Sequence, residues 1–178
     1  MNETPDTKRL FFALWPGNKL RKQLKVNLHN VKRNCEGRPL VPANLHMTLA
    51  FVGNVEVEKI PGLEAMASKV VMQPFSFVLD YSGHFRRPQV LWLGTQLPPP
   101  ELIQLSDNLV QGCRDCGYKM EDRPFKPHVT LMRKVKENCP FDVMPVEWQA
   151  KEFVLVESRS TPGGVKYDVL KRWACDEG

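Results

Sequence analysis

The sequence predicts an α+β protein built from antiparallel sheets with packed helices. Two observations support this fold class. Predicted strands occur as consecutive pairs, at 75–83 with 89–96 and at 147–160 with 166–173, and short links between paired strands are typical of hairpins. The strict alternation of strand and helix fails at both pairs, which argues against a doubly wound parallel sheet.

The first half of the chain predicts strand, helix, strand and helix. Residues 9–16 (RLFFALWP) form an apolar run that ends in Pro-Gly, as expected of a buried strand. Leucines recur at three- and four-residue steps over 18–35 among Lys and Arg, which predicts an amphipathic helix. A proline-containing loop then leads into a strand at 44–53, and a second helix is predicted at 58–72.

The second half begins with the first strand pair, whose members are joined by the basic loop HFRRP. Three prolines precede a helix predicted from 101 to about 117, with an apolar stripe at helical spacing. The segment RPFKPHVTLMRKV predicts a loop and a strand, and the last strand pair flanks TPGG. The length of 178 residues suits one domain or two small, closely associated lobes.

Composition limits the possible classes of function. The 178 residues are 42% hydrophobic and 25% charged, which is ordinary for a globular chain, and their net charge of +5 favours an anionic partner. The apolar runs are too short and too often charged to span a bilayer. The polar, acidic start lacks the features of a secretory signal, so we expect a cytoplasmic protein that does not act at a membrane.

The five cysteines suggest no disulfide framework, and a reducing compartment is the simpler interpretation. Cys113 and Cys116 form a CxxC near the end of a predicted helix, whereas a redox pair is expected at a helix start. We therefore interpret both as ordinary core or surface cysteines. The sequence has no Walker-type nucleotide motif and no HExxH or HxH cluster, and we expect no metal or cofactor.

One short motif occurs twice. HMTL (46–49) and HVTL (128–131) both follow a proline-containing loop and lie on predicted strands, 82 residues apart. Because strand side chains alternate between faces, His46 shares a face with Thr48, and His128 shares one with Thr130. His29 and His84 lack such neighbours. A single His-x-Thr is most often a structural pair, but the repetition indicates a site formed by two halves of a duplicated unit.

Two imidazoles with two hydroxyls suit the cleavage of a phosphodiester. One histidine can take a proton from the attacking water while the other gives a proton to the leaving oxygen. Threonine hydroxyls on the same faces can donate hydrogen bonds to the phosphoryl oxygens, where negative charge develops. A strained cyclic phosphate would need no metal ion.

These residues resemble a known family. PANLHMTLAFVG together with RPFKPHVTLMRK is similar to the 2H phosphoesterases, and more closely to the bacterial RNA 2′,3′-cyclic phosphodiesterases of the 2′-5′ RNA ligase family. RLFFALWP, VLWLG and YDVLKRW extend the resemblance over nearly the whole chain. It implies that residues 1–178 form a single domain of two pseudosymmetric α+β lobes with a cleft between them. It also implies the opening of a terminal 2′,3′-cyclic phosphate on RNA to a 2′-phosphate.

The resemblance also implies roles for individual residues. By motif position, His46 matches the proton donor, His128 the proton acceptor, and Thr48 and Thr130 the hydroxyls that bind phosphate. Arg133 matches a basic residue that the family uses near the phosphate. Implied partners are RNA ends and tRNA halves, which family members also join through a 2′-5′ linkage. We expect a monomer.

Strand parity conflicts with the role of Arg133. Alternation from His128 puts Arg133 on the opposite face, so either the strand bulges or ends before it, or its long side chain curls around the edge. Phe51 likewise has opposite parity to His46, and we therefore predict that it lies in the core. Arg86, Arg87, Arg123, Lys126 and Lys134 are candidates for an RNA track, although charge runs are usually solvated faces.

Two other functions stay open at this stage. The cleft could belong to a non-catalytic module that binds RNA ends or nucleotides, although binding alone does not need two titrating groups. The same chemistry could also act on small cyclic nucleotides or on 2′-5′ oligonucleotides.

Overall fold

The protein is α+β, with three antiparallel sheets and three α-helices among the described residues. A computed structural model describes residues 4–175, so the first three residues of the polar N-terminus lie outside it. The strands are β1 (Thr7–Leu14), β2 (Arg38–Pro39), β3 (Met47–Glu56), β4 (Phe75–Leu79), β5 (Tyr81–Phe85), β6 (Val90–Gly94), β7 (His128–Arg133), β8 (Val146–Ala150), β9 (Glu152–Thr161) and β10 (Gly164–Ala174). The α-helices are α1 (Asn18–Asn34), α2 (Ile60–Ala67) and α3 (Pro100–Asp115).

Each lobe is centred on one four-stranded sheet. The first has the order β10-β9-β1-β3 and the second the order β2-β7-β6-β5, while β4 and β8 form a separate pair. All neighbouring strands are antiparallel. Each sheet contains strands from both halves of the chain, since β9 and β10 join β1, and β2 joins β7. The predicted fold class is confirmed.

The helices α1 and α3 each pack against strands from the other half of the chain. Although α1 follows β1, it packs against β7 and β8, and α3 follows β6 but packs against β3. Both helices are amphipathic and bury their leucine stripes in the main core, as their sequence period predicts. This exchange holds β3 and β7, which carry the two repeated motifs, in contact at the centre of the molecule.

Two segments predicted as single strands are each divided between sheets. The segment 75–83 breaks at Asp80 into β4 and β5, and 147–160 breaks at Lys151 into β8 and β9. Hydrophobic period alone did not show these breaks, because the apolar pattern continues across each boundary. The final hairpin, β9 to β10 across Pro162-Gly163, is confirmed.

The prediction of unpaired cysteines is wrong for one pair. Cys35, at the end of α1, is bonded to Cys139, in the segment after β7. The sequence separation of 104 residues hides this proximity, which arises because α1 packs against the second lobe. Cys113 and Cys116 are free, the first buried and the second exposed, near the end of α3 as expected.

Within residues 4–175, no helix combines the length and the apolar character that crossing a bilayer would require.

Candidate active site

The two repeated motifs lie at the starts of the two contacting strands. His46 immediately precedes β3, and His128 is the first residue of β7. Both side chains are half-buried, as are Thr48 and Thr130. The charge of His128 is close enough to His46 to affect its pKa. The predicted pair of motifs is therefore brought together between the lobes.

Both histidine rings are oriented in the same way. Nδ1 of His46 lies 2.7 Å from the carbonyl oxygen of Asn44, and Nδ1 of His128 lies 2.7 Å from that of Lys126. A carbonyl can only accept, so Nδ1 carries the hydrogen and donates it in both rings. Each ring is thus held by the backbone two residues earlier, and Nε2 is the atom available to accept or release a proton.

The two motifs differ in how threonine meets histidine. Nε2 of His46 lies 3.0 Å from Oγ1 of Thr48. Because Nδ1 holds the hydrogen of the neutral ring, the Thr48 hydroxyl donates to Nε2. Thr130 occupies the matching position two residues after His128, with its backbone paired to Trp92. If Nε2 of His46 were protonated, it would donate to Oγ1 of Thr48. The hydroxyl hydrogen of Thr48 would then turn toward another acceptor.

Aromatic side chains enclose His46. Trp15 stacks on its ring with 5.5 Å between centroids, and Tyr167 meets it edge-on at 5.0 Å. Phe11, on β1, lies 4.9 Å away, and Trp15 directly follows the end of that strand. None of these three residues was predicted to belong to the site, although alternation in RLFFALWP puts Phe11 and Trp15 on one face.

Arg21 supports this aromatic stack from the other side. Its guanidinium lies 5.5 Å from the Trp15 ring, and it donates hydrogen bonds to the carbonyls of Pro16, Pro42 and Leu45. Leu45 is the residue before His46. One side chain from α1 therefore fixes the loop that enters the first motif, a role that the sequence pattern did not suggest.

A second aromatic group surrounds His128. Phe85 meets its ring edge-on at 5.0 Å, and Trp92 lies 6.0 Å away. The ammonium of Lys126 lies over both rings, 5.4 Å from Phe85 and 4.8 Å from Trp92. Gly83 allows this packing, because a Cβ there would lie 2.1 Å from the Trp92 ring.

Burial dominates the titration of both histidines. It lowers the pKa of His46 from 6.5 to about 4; the hydrogen bond to Asn44 opposes this shift, and the charges of His128 and Arg133 add to it. Burial also lowers the pKa of His128, and the charges of Lys126 and Arg133 act in the same direction. Both rings are therefore mostly neutral at pH 7 in the free protein.

A β-bulge in β7 explains the position of Arg133. Between Leu91 and Trp92 the paired residues jump from Met132 to Thr130, so β7 has one extra residue. Both Leu131 and Met132 are buried, whereas Arg133 is exposed. The bulge reverses the parity, which puts Arg133 on the His128 side of the strand and matches its effect on both histidine pKa values.

The same irregularity occurs in β3 and corrects the prediction for Phe51. Between Phe12 and Ala13 the partners jump from Ala50 to Thr48, and both Leu49 and Ala50 are buried. Phe51 is therefore not in the core.

Phe51 instead occupies the position in its motif that Arg133 occupies in the other, five residues after the histidine. Its side chain is 44% exposed, and the guanidinium of Arg9 lies 4.7 Å from the ring centroid. Single-residue alternation fails here because an inserted residue changes the face of the residues after it, up to the next register shift, which in β3 lies between Phe51 and Gly53.

A serine on α3 stabilises the bulge in β3. The hydroxyl of the buried Ser106 donates to the carbonyl of Leu49 at 2.6 Å. In β7 the carbonyl of Leu131 instead accepts from the backbone N–H of Leu40. Both extra residues therefore have a bonded carbonyl, which satisfies a group that a bulge removes from the ladder.

Comparison with known proteins is consistent with this arrangement. The family model of the 2′-5′ RNA ligase superfamily matches residues 20–161. The chain belongs to this superfamily. An RNA 2′,3′-cyclic phosphodiesterase of Escherichia coli (strain K12) is 36% identical over 95% of this chain and 97% of its own length. One of Archaeoglobus fulgidus is 29% identical over 92% and 98%.

Solved structures extend the likeness to three dimensions. The crystal structure of E. coli LigT complexed with 3′-AMP superposes with a TM-score of 0.88 at 35% identity, covering 97% of this chain and all of that chain. A Thermus thermophilus structure superposes with a TM-score of 0.77 at 29% identity, covering 93% and 97%. This 2′-5′ RNA ligase superfamily member thus shares the fold of these relatives over almost its full length.

Over residues 4–175 of this superfamily member, no group of three or more His, Cys, Asp or Glu side chains lies close enough together to hold a metal ion. Burial raises the pKa of the Cys113 thiol to about 12, which leaves it protonated near neutral pH.

Proposed function

We propose that this protein is an RNA 2′,3′-cyclic phosphodiesterase that hydrolyses terminal cyclic phosphates to 2′-phosphomonoesters without a metal ion. The observation that carries the proposal is the matched orientation of His46 and His128, each donating Nδ1–H to the carbonyl two residues before it. Two available Nε2 atoms between contacting strands suit paired acid–base catalysis. Several relatives named for this activity support the substrate class.

In the proposed reaction, Nε2 of His128 takes a proton from a water molecule, and the water oxygen forms a bond to phosphorus. The bond from phosphorus to the ribose 3′ oxygen breaks, and that oxygen receives a proton from Nε2 of His46. The phosphate stays on the 2′ oxygen. One proton is taken and one is given, so the pair ends each turnover in swapped protonation states and is restored through solvent.

The assignment of His46 as the acid requires the substrate to supply charge. In the free protein burial lowers the pKa of His46 to about 4, so its ring is neutral at pH 7 and has no proton on Nε2 to give until an anion binds. A phosphodiester anion bound beside Nε2 stabilises the protonated ring and raises its pKa. His46 is thus proposed to be protonated together with substrate binding, while His128 stays neutral as the base.

The remaining site residues are proposed to stabilise the phosphoryl oxygens. Hydroxyls of Thr48 and Thr130 donate hydrogen bonds there, and Arg133 supplies a positive charge from the edge of the cleft. The charge of Arg133 already affects both histidines, which supports its nearness to the reacting group.

We also propose that the protein acts in the setting that its sequence predicts. Residues 1–178 act as one bilobal domain, as a monomer in the cytoplasm, on RNA ends that include tRNA halves. If a 5′-hydroxyl attacks phosphorus in place of water, the same step breaks the bond from phosphorus to the 3′ oxygen and leaves a 2′-5′ linkage, which is ligation.

The decisive experiment incubates the purified protein with an RNA oligonucleotide that ends in a 2′,3′-cyclic phosphate. We expect a 2′-phosphate product, identified by chromatography against 2′- and 3′-phosphate standards, and unchanged turnover after exhaustive chelation. Tight binding without turnover would instead identify a non-catalytic module. If only 2′,3′-cyclic mononucleotides or 2′-5′ oligonucleotides are turned over, the protein carries out the same chemistry on those substrates instead of on RNA ends.

A further inference from the structure

An open basic concavity of about 520 Å³ lies outside the histidine site. It is lined by Arg86, Arg87, Pro88, Gln89 and Lys136. Its walls are the loop between β5 and β6 and the segment that follows β7. All of its lining residues are exposed, and no carboxylate lines it. The cavity therefore presents three cations and an amide to solvent.

The charges in this basic pocket are not neutralised by the protein. Over the described range 4–175, the side chains of Arg86, Arg87 and Lys136 form no ion pair. Three unpaired cations around one concavity favour an anionic ligand.

The backbone of the pocket is held in an uncommon conformation. Gln89 and Lys134 have φ of 66° and 57°, and among residues 4–175 no other non-glycine residue has positive φ. The N–H of Val135 donates to the carbonyl of Gln89 at 3.0 Å, and Nε2 of His84 donates to the carbonyl of Val135 at 2.7 Å. Backbone strain of this kind persists where neighbouring bonds enforce it, often at binding sites.

The pocket continues from the candidate active site. Phe85 contacts the His128 ring, and the next residue, Arg86, lines the pocket. On the other wall, Arg133 ends β7 and Lys136 follows three residues later. Neither histidine is among the residues that line the pocket, so a phosphate held between the histidines leaves the pocket free, and a longer chain can occupy both.

We infer that the basic pocket binds backbone phosphates of single-stranded RNA on the 5′ side of the reacting end. This inference rests on the proposed function and deepens it, because it makes polymeric RNA, rather than a mononucleotide, the substrate that the whole surface recognises. Phosphate contacts of this kind add affinity and a strong dependence on salt, without base specificity.

The test compares two substrates and two matched variants. The variant R86A/R87A/K136A removes three charges from the pocket, and K69A/K119A/K151A removes three exposed lysines outside it. Turnover is measured on 2′,3′-cyclic AMP and on a ten-nucleotide RNA ending in a 2′,3′-cyclic phosphate. We expect the pocket variant to raise KM about tenfold or more for the RNA and to leave the mononucleotide unchanged. The control variant should affect neither substrate by more than a small factor.

Direct binding separates this inference from the proposed activity. Fluorescence anisotropy with the same RNA, ending in a 2′-phosphate, measures affinity without turnover. For the pocket variant, the slope of log affinity against log salt should fall in magnitude by about 2, since each single-strand phosphate contact contributes about 0.7. The conservative variant R86K/R87K should keep most of the affinity.

The inference that the pocket binds RNA would be wrong if the pocket variant lost activity equally on the RNA and on 2′,3′-cyclic AMP. It would also be wrong if the RNA affinity of that variant were unchanged. A wild-type protein that turns over neither substrate would contradict the proposed function alone, because the anisotropy measurement still decides what the pocket binds.

Discussion

Arg133 lies on the same side of β7 as His128, which comes five residues earlier in the chain. Simple alternation would put the two side chains on opposite sides. The extra residue at the bulge reverses the parity, and the charge of Arg133 lowers the pKa of both His128 and His46. In β3 a matching bulge brings Phe51 to the equivalent position. The two motifs are therefore related in backbone geometry, but one ends in a cation and the other in an aromatic ring.

Replacement of either histidine should abolish most of the activity. We expect His46→Ala and His128→Ala each to lower kcat on 2′,3′-cyclic AMP by at least about a hundredfold, because each supplies a proton-transfer step. Circular dichroism and thermal unfolding check that each variant is folded. His29→Ala, on the outer part of α1, is the matched control and should retain wild-type turnover. A His46 or His128 variant that keeps near-wild-type turnover would contradict the proposed pair.

The pH dependence should differ between kcat/KM and kcat. Activity falls at low pH when the base is protonated and at high pH when the acid loses its proton. Because the pKa of His46 is about 4 and that of His128 is below its usual 6.5, kcat/KM should peak below pH 6.5. A bound phosphodiester anion raises both pKa values, so the kcat maximum should lie at higher pH. Steady-state rates from pH 4 to 9 measure both curves; a kcat/KM maximum above pH 7 would conflict with buried, neutral histidines.

Removal of the Arg133 charge should change the pH profile as well as the rate. Arg133→Ala eliminates a cation that lowers the pKa of both histidines, so the kcat/KM maximum should move to higher pH. Loss of one charge-stabilising group should also reduce kcat/KM about a hundredfold. Lys134→Asn is the neighbouring control, since asparagine tolerates the positive φ of that residue. An Arg133 variant with lower activity but an unmoved profile would indicate a structural role only.

The bulge in β3 should depend on Ser106. Ser106→Ala leaves the buried carbonyl of Leu49 without its donor, which should lower the free energy of unfolding by about 1–3 kcal/mol. We also expect lower kcat, because Leu49 directly follows Thr48 in the motif. Urea denaturation measures the change in stability, and turnover of 2′,3′-cyclic AMP measures the change in kcat. The exposed Ser76→Ala on β4 should change stability by no more than about 0.5 kcal/mol. If both variants behave alike, the Ser106 bond does not support the bulge.

The disulfide should stabilise the protein in oxidising buffer. Cys35 and Cys139 close a long loop, with a sequence separation of 104 residues, so Cys139→Ser should lower the free energy of unfolding by about 2–5 kcal/mol. A reducing agent should remove the difference between the variant and the wild type. Cys116→Ser, which changes an exposed free cysteine, should have little effect in either buffer. Equal stability of wild type and Cys139→Ser without reductant would show that the bond does not form in solution.

Local pattern by itself determined the fold class and the candidate histidines. Paired strands predicted antiparallel sheets, and two copies of His-x-Thr identified His46 and His128, because the period of a strand places both side chains of a motif on one face. Stripes of leucine predicted α1 and α3 to within one or two residues. Each of these features depends on residues close together in the chain, so it is visible without the tertiary structure.

Only the tertiary structure decided how those local pieces combine. The breaks at Asp80 and Lys151 send each continuous apolar run into two sheets, and the packing of α1 on the second lobe brings Cys35 to Cys139. The bulges that redirect Phe51 and Arg133 depend on pairing with other strands and on bonds such as that from Ser106. A strand's register and its extra residues are set by its neighbours, which a local pattern does not contain.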